Sequence, residues 1–87
     1  MKTIYKYSIE TTDEQNINMP EMAEILTVQI QYGKPYIWAL VDTENEQGVK
    51  TIEVFGTGNP IPDGVRSYIG TYQLLNGELI FHVFEKI

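Results

Sequence analysis

The chain has 87 residues, 43% of them hydrophobic, with no cysteine and a formal net charge of −6 from 12 acidic and 6 basic side chains. That length is one domain's worth, 1–87, and the hydrophobic share lies well above that of disordered chains. The missing cysteine excludes disulfides, thiolate metal ligands and cysteine nucleophiles together, and a reducing cytoplasm is the expected compartment. The negative charge repels phosphate backbones and anionic lipid, so non-specific nucleic-acid binding and membrane adhesion are not expected, and neither a signal peptide nor an apolar span is legible.

Period-two alternation dominates the chain and points to strands. Thr3 to Glu10 reads as the first, with Tyr5, Tyr7 and Ile9 on one face and Ile4, Lys6 and Ser8 on the other. Residues 11–18 are polar and run into Met19-Pro20, which restricts the backbone, so a loop is expected with at most a short strand over 16–18. Residues 21–24 could close one helical turn. Residues 23–32 alternate Leu26, Val28, Ile30 and Tyr32 against Thr27, Gln29 and Gln31, and Gly33-Lys34 reads as a two-residue hairpin loop. Tyr36 to Asp42 is apolar on both faces and is expected to be the central, most buried strand.

An acidic turn over 43–49 then leads to a strand over 50–55, which completes a three-strand meander. Gly56 to Arg66, broken by Pro60, Pro62, Gly58 and Gly64, is the principal loop, since proline lacks a ladder donor and glycine weakens a strand. Residues 68–75 and 78–85 flank Asn76-Gly77, which suits both positive-φ positions of a type I′ hairpin turn. The last strand sets Leu79, Phe81 and Val83 against Ile80, His82 and Phe84, so one face is expected on the core and the other on an opposing sheet or a second subunit. The fold class is therefore all-β, a small antiparallel barrel or sandwich of about six or seven strands. A barrel-like meander is favoured because closure removes open edges. A domain of this size buries only about 60% of its unfolded surface, so homo-oligomer formation is expected to help it.

The inventory for catalysis is poor. His82 is the only histidine and Ser8 and Ser67 are the only serines, with no local pattern that would assemble a triad; His82 reads as a hydrogen-bonded sheet-surface residue. The acids Asp13, Glu14, Glu21 and Glu24, and Asp42, Glu44 and Glu46, lie in polar loops where carboxylates stay solvated. The run from Asp42 to Glu53 imitates a calcium loop but has Gln47 at the sharp-turn glycine position and strands for flanks. No catalytic residue, metal site or cofactor is expected. Gly56, Thr57, Gly58 and Asn59 resemble a phosphate cradle of backbone N–H groups, although Pro60 and Pro62 bar a helix from starting there. The tyrosines and Trp38 exceed what a small core needs; aromatics on strands can stack a base, and Arg66 beside Tyr68 could meet a phosphate. The ligand-binding candidates are Gly56, Thr57, Gly58, Asn59, Arg66, Tyr68 and Trp38.

Across nearly its whole length, in KTIYKY over 2–7, AEILTVQIQ over 23–31, WALVD over 38–42, FGTGNPI over 55–61, YIGT over 68–71 and FHVFE over 81–85, the chain resembles a family of small phage- and prophage-encoded proteins of unknown function. The resemblance implies an accessory protein acting in the host cytoplasm. It could sequester a nucleotide signal as a counter-defence factor, or inhibit a host defence or CRISPR protein by contact. The bland reading is a structural module.

Overall fold

A computed structural model describes residues 1–87, and its seven strands are β1 (Lys2–Ser8), β2 (Glu14–Pro20), β3 (Glu24–Gln31), β4 (Lys34–Asp42), β5 (Gln47–Gly56), β6 (Arg66–Leu74) and β7 (Leu79–Lys86). They form two antiparallel sheets, of order β1-β4-β3 and β2-β5-β7-β6. The fold is thus the two-sheet member of the expected pair, and the barrel does not close. The three-strand meander is also replaced. β4 has both edges occupied, with Leu40, for example, pairing with Ile4 on one side and Glu24 on the other, and the chain after Asp42 crosses to the second sheet, where β5 pairs with β2 and β7.

Alternate residues of β4, namely Ile37, Ala39 and Val41, point between the sheets and are fully buried with Ile52 and Val54 of β5, Val83 of β7 and Met19 of β2. Burial of each aliphatic side chain of this size is worth about 1.5–3 kcal/mol, which makes this layer the main source of stability. No helix is long and apolar enough to cross a membrane.

Four local expectations are corrected. Residues 14–20 are a full strand rather than a loop: Glu14, Asn16 and Asn18 face solvent while Ile17 and Met19 face the core, and the strand tolerates Pro20 because β2 is an edge paired only with β5. The chain at 21–24 makes no helical turn, because Met22 takes φ 67° in a turn closed by the Ala23 N–H donating to Pro20 O at 3.3 Å. The β3–β4 hairpin loop is Tyr32-Gly33, with φ of 52° and 78°, flanked by the Gln31–Lys34 pair, so it lies one residue earlier than expected. A bulge between Ile25 and Thr27 shifts the phase of β3, leaving Val28 in the core and Leu26 turned out.

Asn76-Gly77 takes the two expected positive-φ positions, but in a loop longer than the expected two residues. Asn76 (φ 54°, ψ 35°) and Gly77 (φ 90°) occupy its centre, and the Glu78 N–H donates to Leu75 O at 3.1 Å. Leu75 is also left-handed, at φ 51°, so the last ladder pair is Leu74–Leu79 and the loop is longer than two residues.

The sheets come closest where β3 meets β6. There, β6 bulges between Tyr68 and Gly70, and a Cβ built on Gly70 would sit 2.8 Å from Val28 Cγ1. Val28 is buried and cannot step aside. Gly70→Ala is expected to destabilise the protein by about 1–3 kcal/mol in urea denaturation, the usual effect of overpacking; no loss would mean that the β3–β6 contact is slack.

Tyr72 closes the same core from β6, and its hydroxyl shares a 2.6 Å hydrogen bond with Thr11 Oγ1. Burial raises its pKa, with the Thr11 bond acting in the opposite direction, and burial together with the neighbouring Tyr5 raises that of Tyr7. A tyrosine whose folded pKa is raised contributes stability that is fully present below the unfolded value of about 10 and is lost as pH rises through the folded value. Stability followed by denaturation should therefore hold to about pH 10 and fall above it, with a shallower fall in Tyr72→Phe.

Candidate functional site

The sandwich has two outer faces of different chemistry. On the four-stranded sheet, Phe55 of β5, Phe84 of β7 and Tyr68 of β6 form an edge-to-face aromatic row, with ring centres 5.9 and 5.4 Å apart. Beside it lies an ion pair between Arg66 Nε and Glu53 Oε1 at 2.9 Å, with both side chains largely buried. Arg66 also donates from Nη1 to Pro62 O at 2.7 Å and lies 5.6 Å from the centre of the Phe55 ring. The sole histidine stands between two hydroxyls: His82 Nε2 meets Thr57 Oγ1 at 2.7 Å and Nδ1 meets Thr71 Oγ1 at 2.9 Å, while Thr71 shares a further bond of 2.6 Å with the Tyr68 hydroxyl. This chain pins the start of the 56–65 loop to the sheet.

The sequence-derived candidates fall into two groups. Gly56, Thr57, Gly58 and Asn59 make one tight turn, with Gly58 at φ 87° and the Asn59 N–H donating to Gly56 O at 3.0 Å. The Thr57 N–H is spent on Ile80 O at 3.2 Å. Two of the donors that a phosphate cradle would offer are therefore committed inside the fold, and so is Arg66. Tyr68 joins this group through the hydroxyl chain to Thr57. Trp38 does not: its side of β4 faces away from the core on the other sheet.

That second face carries Tyr36, Trp38 and Leu40 from β4, Ile4 and Lys6 from β1, and Leu26 from the β3 bulge. Ile4 is 54% and Leu26 42% exposed. Lys6, paired with Trp38 in the ladder, arches over the Tyr36 ring at 4.7 Å from its centre and donates to Gln31 Oε1 at 2.6 Å. Tyr36 and Trp38 lie 6.2 Å apart. At the end of the platform a hollow of about 300 Å³ is lined by Ser8, Glu10, Thr11, Lys34 and Tyr36.

The charges divide in the same way. Of the chain's six basic side chains, Lys50, Arg66 and Lys86 are held in ion pairs by Glu85, Glu53 and Glu14 on the four-stranded sheet. The other three, Lys2, Lys6 and Lys34, make no ion pair and lie on the platform side of β1 and β4. At its rim Asp42 accepts the Glu44 N–H at 3.1 Å and the Met1 ammonium at 3.2 Å; these two bonds, the Glu44 one first, hold its carboxyl below the ordinary range. Sequence reading singled out Trp38 but not Tyr36, Lys2, Lys6 or Lys34. The signal was their shared parity in two strands, which acquires meaning only once β1 is set beside β4.

These features define a two-sheet antiparallel sandwich with an aromatic, lysine-bearing platform on one side and a hydrogen-bonded, acid-rich face on the other. The chain matches the family described as a domain of unknown function, DUF7352, over residues 1–87, and it belongs to that family. No curated protein and no solved structure matches it.

The Glu53–Arg66 pair organises the four-stranded face. Arg66→Met would strand a carboxylate that is 6% exposed, and it is expected to cost about 3–5 kcal/mol in urea denaturation. Arg66→Met combined with Glu53→Leu should recover a large part of that loss; additive losses would show that the pair is not coupled.

Proposed function

We propose that this protein is a non-catalytic binding protein that holds a nucleotide on the outer face of its three-stranded sheet. The observation that carries the reading is the coincidence of Trp38 and Tyr36 with Lys2, Lys6 and Lys34, the three basic side chains of the protein that make no ion pair. Base-on-aromatic stacking is worth about 1–3 kcal/mol, and an ammonium group supplies a charge-assisted bond to phosphate. Lys6 already caps Tyr36, so Trp38 takes the base, while Lys34 and Ser8 at the hollow take the phosphate.

The net charge of −6 sets the ligand's size. Screening in physiological salt confines attraction to about 8 Å, so a mononucleotide or short oligonucleotide meets the lysines with only the few acids of this face, Glu10 at the hollow among them, whereas a long polyanion would run onto many more acids elsewhere. In the phage setting that the sequence resemblance implies, sequestration of a host nucleotide signal would serve counter-defence in the host cytoplasm. The glycine turn over 56–59 then acts as a structural clasp instead of a phosphate cradle. Exposed Ile4 and Leu26 on the same platform favour a second reading, in which the partner is a protein surface and the role is inhibition by contact.

Trp38 is the only tryptophan, so its fluorescence reports on the platform directly. Nucleotides, cyclic and linear, should quench it saturably and raise the melting temperature as linkage requires, with affinity about tenfold weaker in Lys34→Ala. Indifference of the wild-type protein to the whole panel would overturn the nucleotide reading. Retention of a photo-crosslinked protein by the wild type, but not by Leu26→Asp, would establish the second.

A further inference from the structure

A cavity of about 360 Å³ lies between the β1–β2 connection, the end of β5 and the 56–62 stretch, and it touches the hollow at the platform's end only through Thr11. Its walls include the carboxylates of Asp13, Glu14 and Glu53 and the rings of Phe55, Phe81 and Pro62. We infer that this cavity is a binding site for a guanidinium or ammonium group.

Three observations converge on that chemistry. Glu53 is more than nine-tenths buried, yet only Oε1 is engaged, by Arg66 Nε at 2.9 Å; Oε2 makes no hydrogen bond within the protein. That second oxygen is not sealed from solvent, so a cationic donor entering the cavity can reach it and add a charge-assisted bond to a carboxylate that is otherwise largely buried. The protein's own Arg66 supplies the template: its guanidinium lies between the Glu53 carboxylate, the Pro62 carbonyl and the face of Phe55. The cavity offers the same three kinds of group, a carboxylate, a proline-rich wall and phenyl rings, to a guest, and aromatic faces attract cations.

The third observation is the charge balance at the cavity. Arg66 offsets Glu53, and Lys86 offsets Glu14 at 3.1 Å, which leaves Asp13 without an ion-pair partner. Asp13 is fixed there by its own backbone, since its carbonyl accepts the Val54 N–H at 3.2 Å. An anion would be repelled by this lining, and an uncharged guest would leave Asp13 and the free Glu53 oxygen unpaired. The site is therefore selective for a basic group, and it uses none of the lysines or rings of the nucleotide platform.

The test uses agmatine as a free guanidine and the tripeptide Gly-Arg-Gly as a guanidinium carried on a peptide, with N-butylurea as an uncharged isostere. In two-dimensional NMR of the ¹⁵N-labelled full chain, at least one cationic probe should shift the amides of Asp13, Phe55 and Phe81 saturably. Asp13→Asn, whose side chain makes no contact the fold requires, should weaken binding about tenfold, the loss expected for one charge-assisted bond. Tighter binding of agmatine assigns the site to a small amine, and tighter binding of the tripeptide assigns it to an arginine of a partner protein. Absence of saturable shifts with both cations, equal affinity for Asp13→Asn, or equal binding of N-butylurea would overturn the inference. Trp38 emission stays unchanged throughout, so failure here is separable from failure of the platform reading.

Discussion

Strand β4 has no free edge. Its inward residues Ile37, Ala39 and Val41 are buried, and both of its edges carry a full ladder, to β1 and to β3. A saturated strand takes no further partner, and the chain that leaves it at Asp42 builds a second sheet. The core exists because β5 returns over the first sheet instead of joining it. The same constraint creates two separate outer faces, and it leaves the outward residues of β4 as the middle row of a platform.

The division of charge follows from that architecture. Lys50 and Arg66, largely buried beside Glu85 and Glu53, and Lys86, half exposed beside Glu14, form ion pairs on the four-stranded sheet, where they neutralise part of the acid excess. The lysines of β1 and β4 stand among Ile4, Leu40 and aromatic rings, and none of them makes an ion pair. A protein that is acidic as a whole therefore keeps its three unpaired lysines on one face, and on the proposed reading long-range repulsion with short-range attraction would filter ligands by size.

Features encoded by a few adjacent residues were legible in the sequence. Asn76-Gly77 dictates its own turn, and the two-sided apolar run over 36–42 could only be an inner strand. Features set by distant partners were not. β2 is polar along its outer edge and ends in Pro20, and it becomes a strand because β5 supplies the ladder. The β3 bulge that turns Leu26 outward has no local signature, and a one-residue phase shift moves every later side chain to the other face. The site shows the same pattern. Arg66, Tyr68 and Thr57 were identified as residues, but the commitment of Arg66 to Glu53 and of Thr57 to His82 depends on registers between β5, β6 and β7. Trp38 was identified without the lysines that give it meaning.

Lys2 and Lys6 also stand on β1, a border strand with one side unladdered. A border of that kind recruits further strands, and lysine is a common guard against stacking into fibrils because two such borders repel when they approach. The charges that suit the platform to an anion are thus the ones that keep separate molecules apart. If the platform takes an anion as proposed, occupancy would neutralise those charges and leave the protein most exposed to self-assembly when saturated, which would couple its working concentration to its solubility.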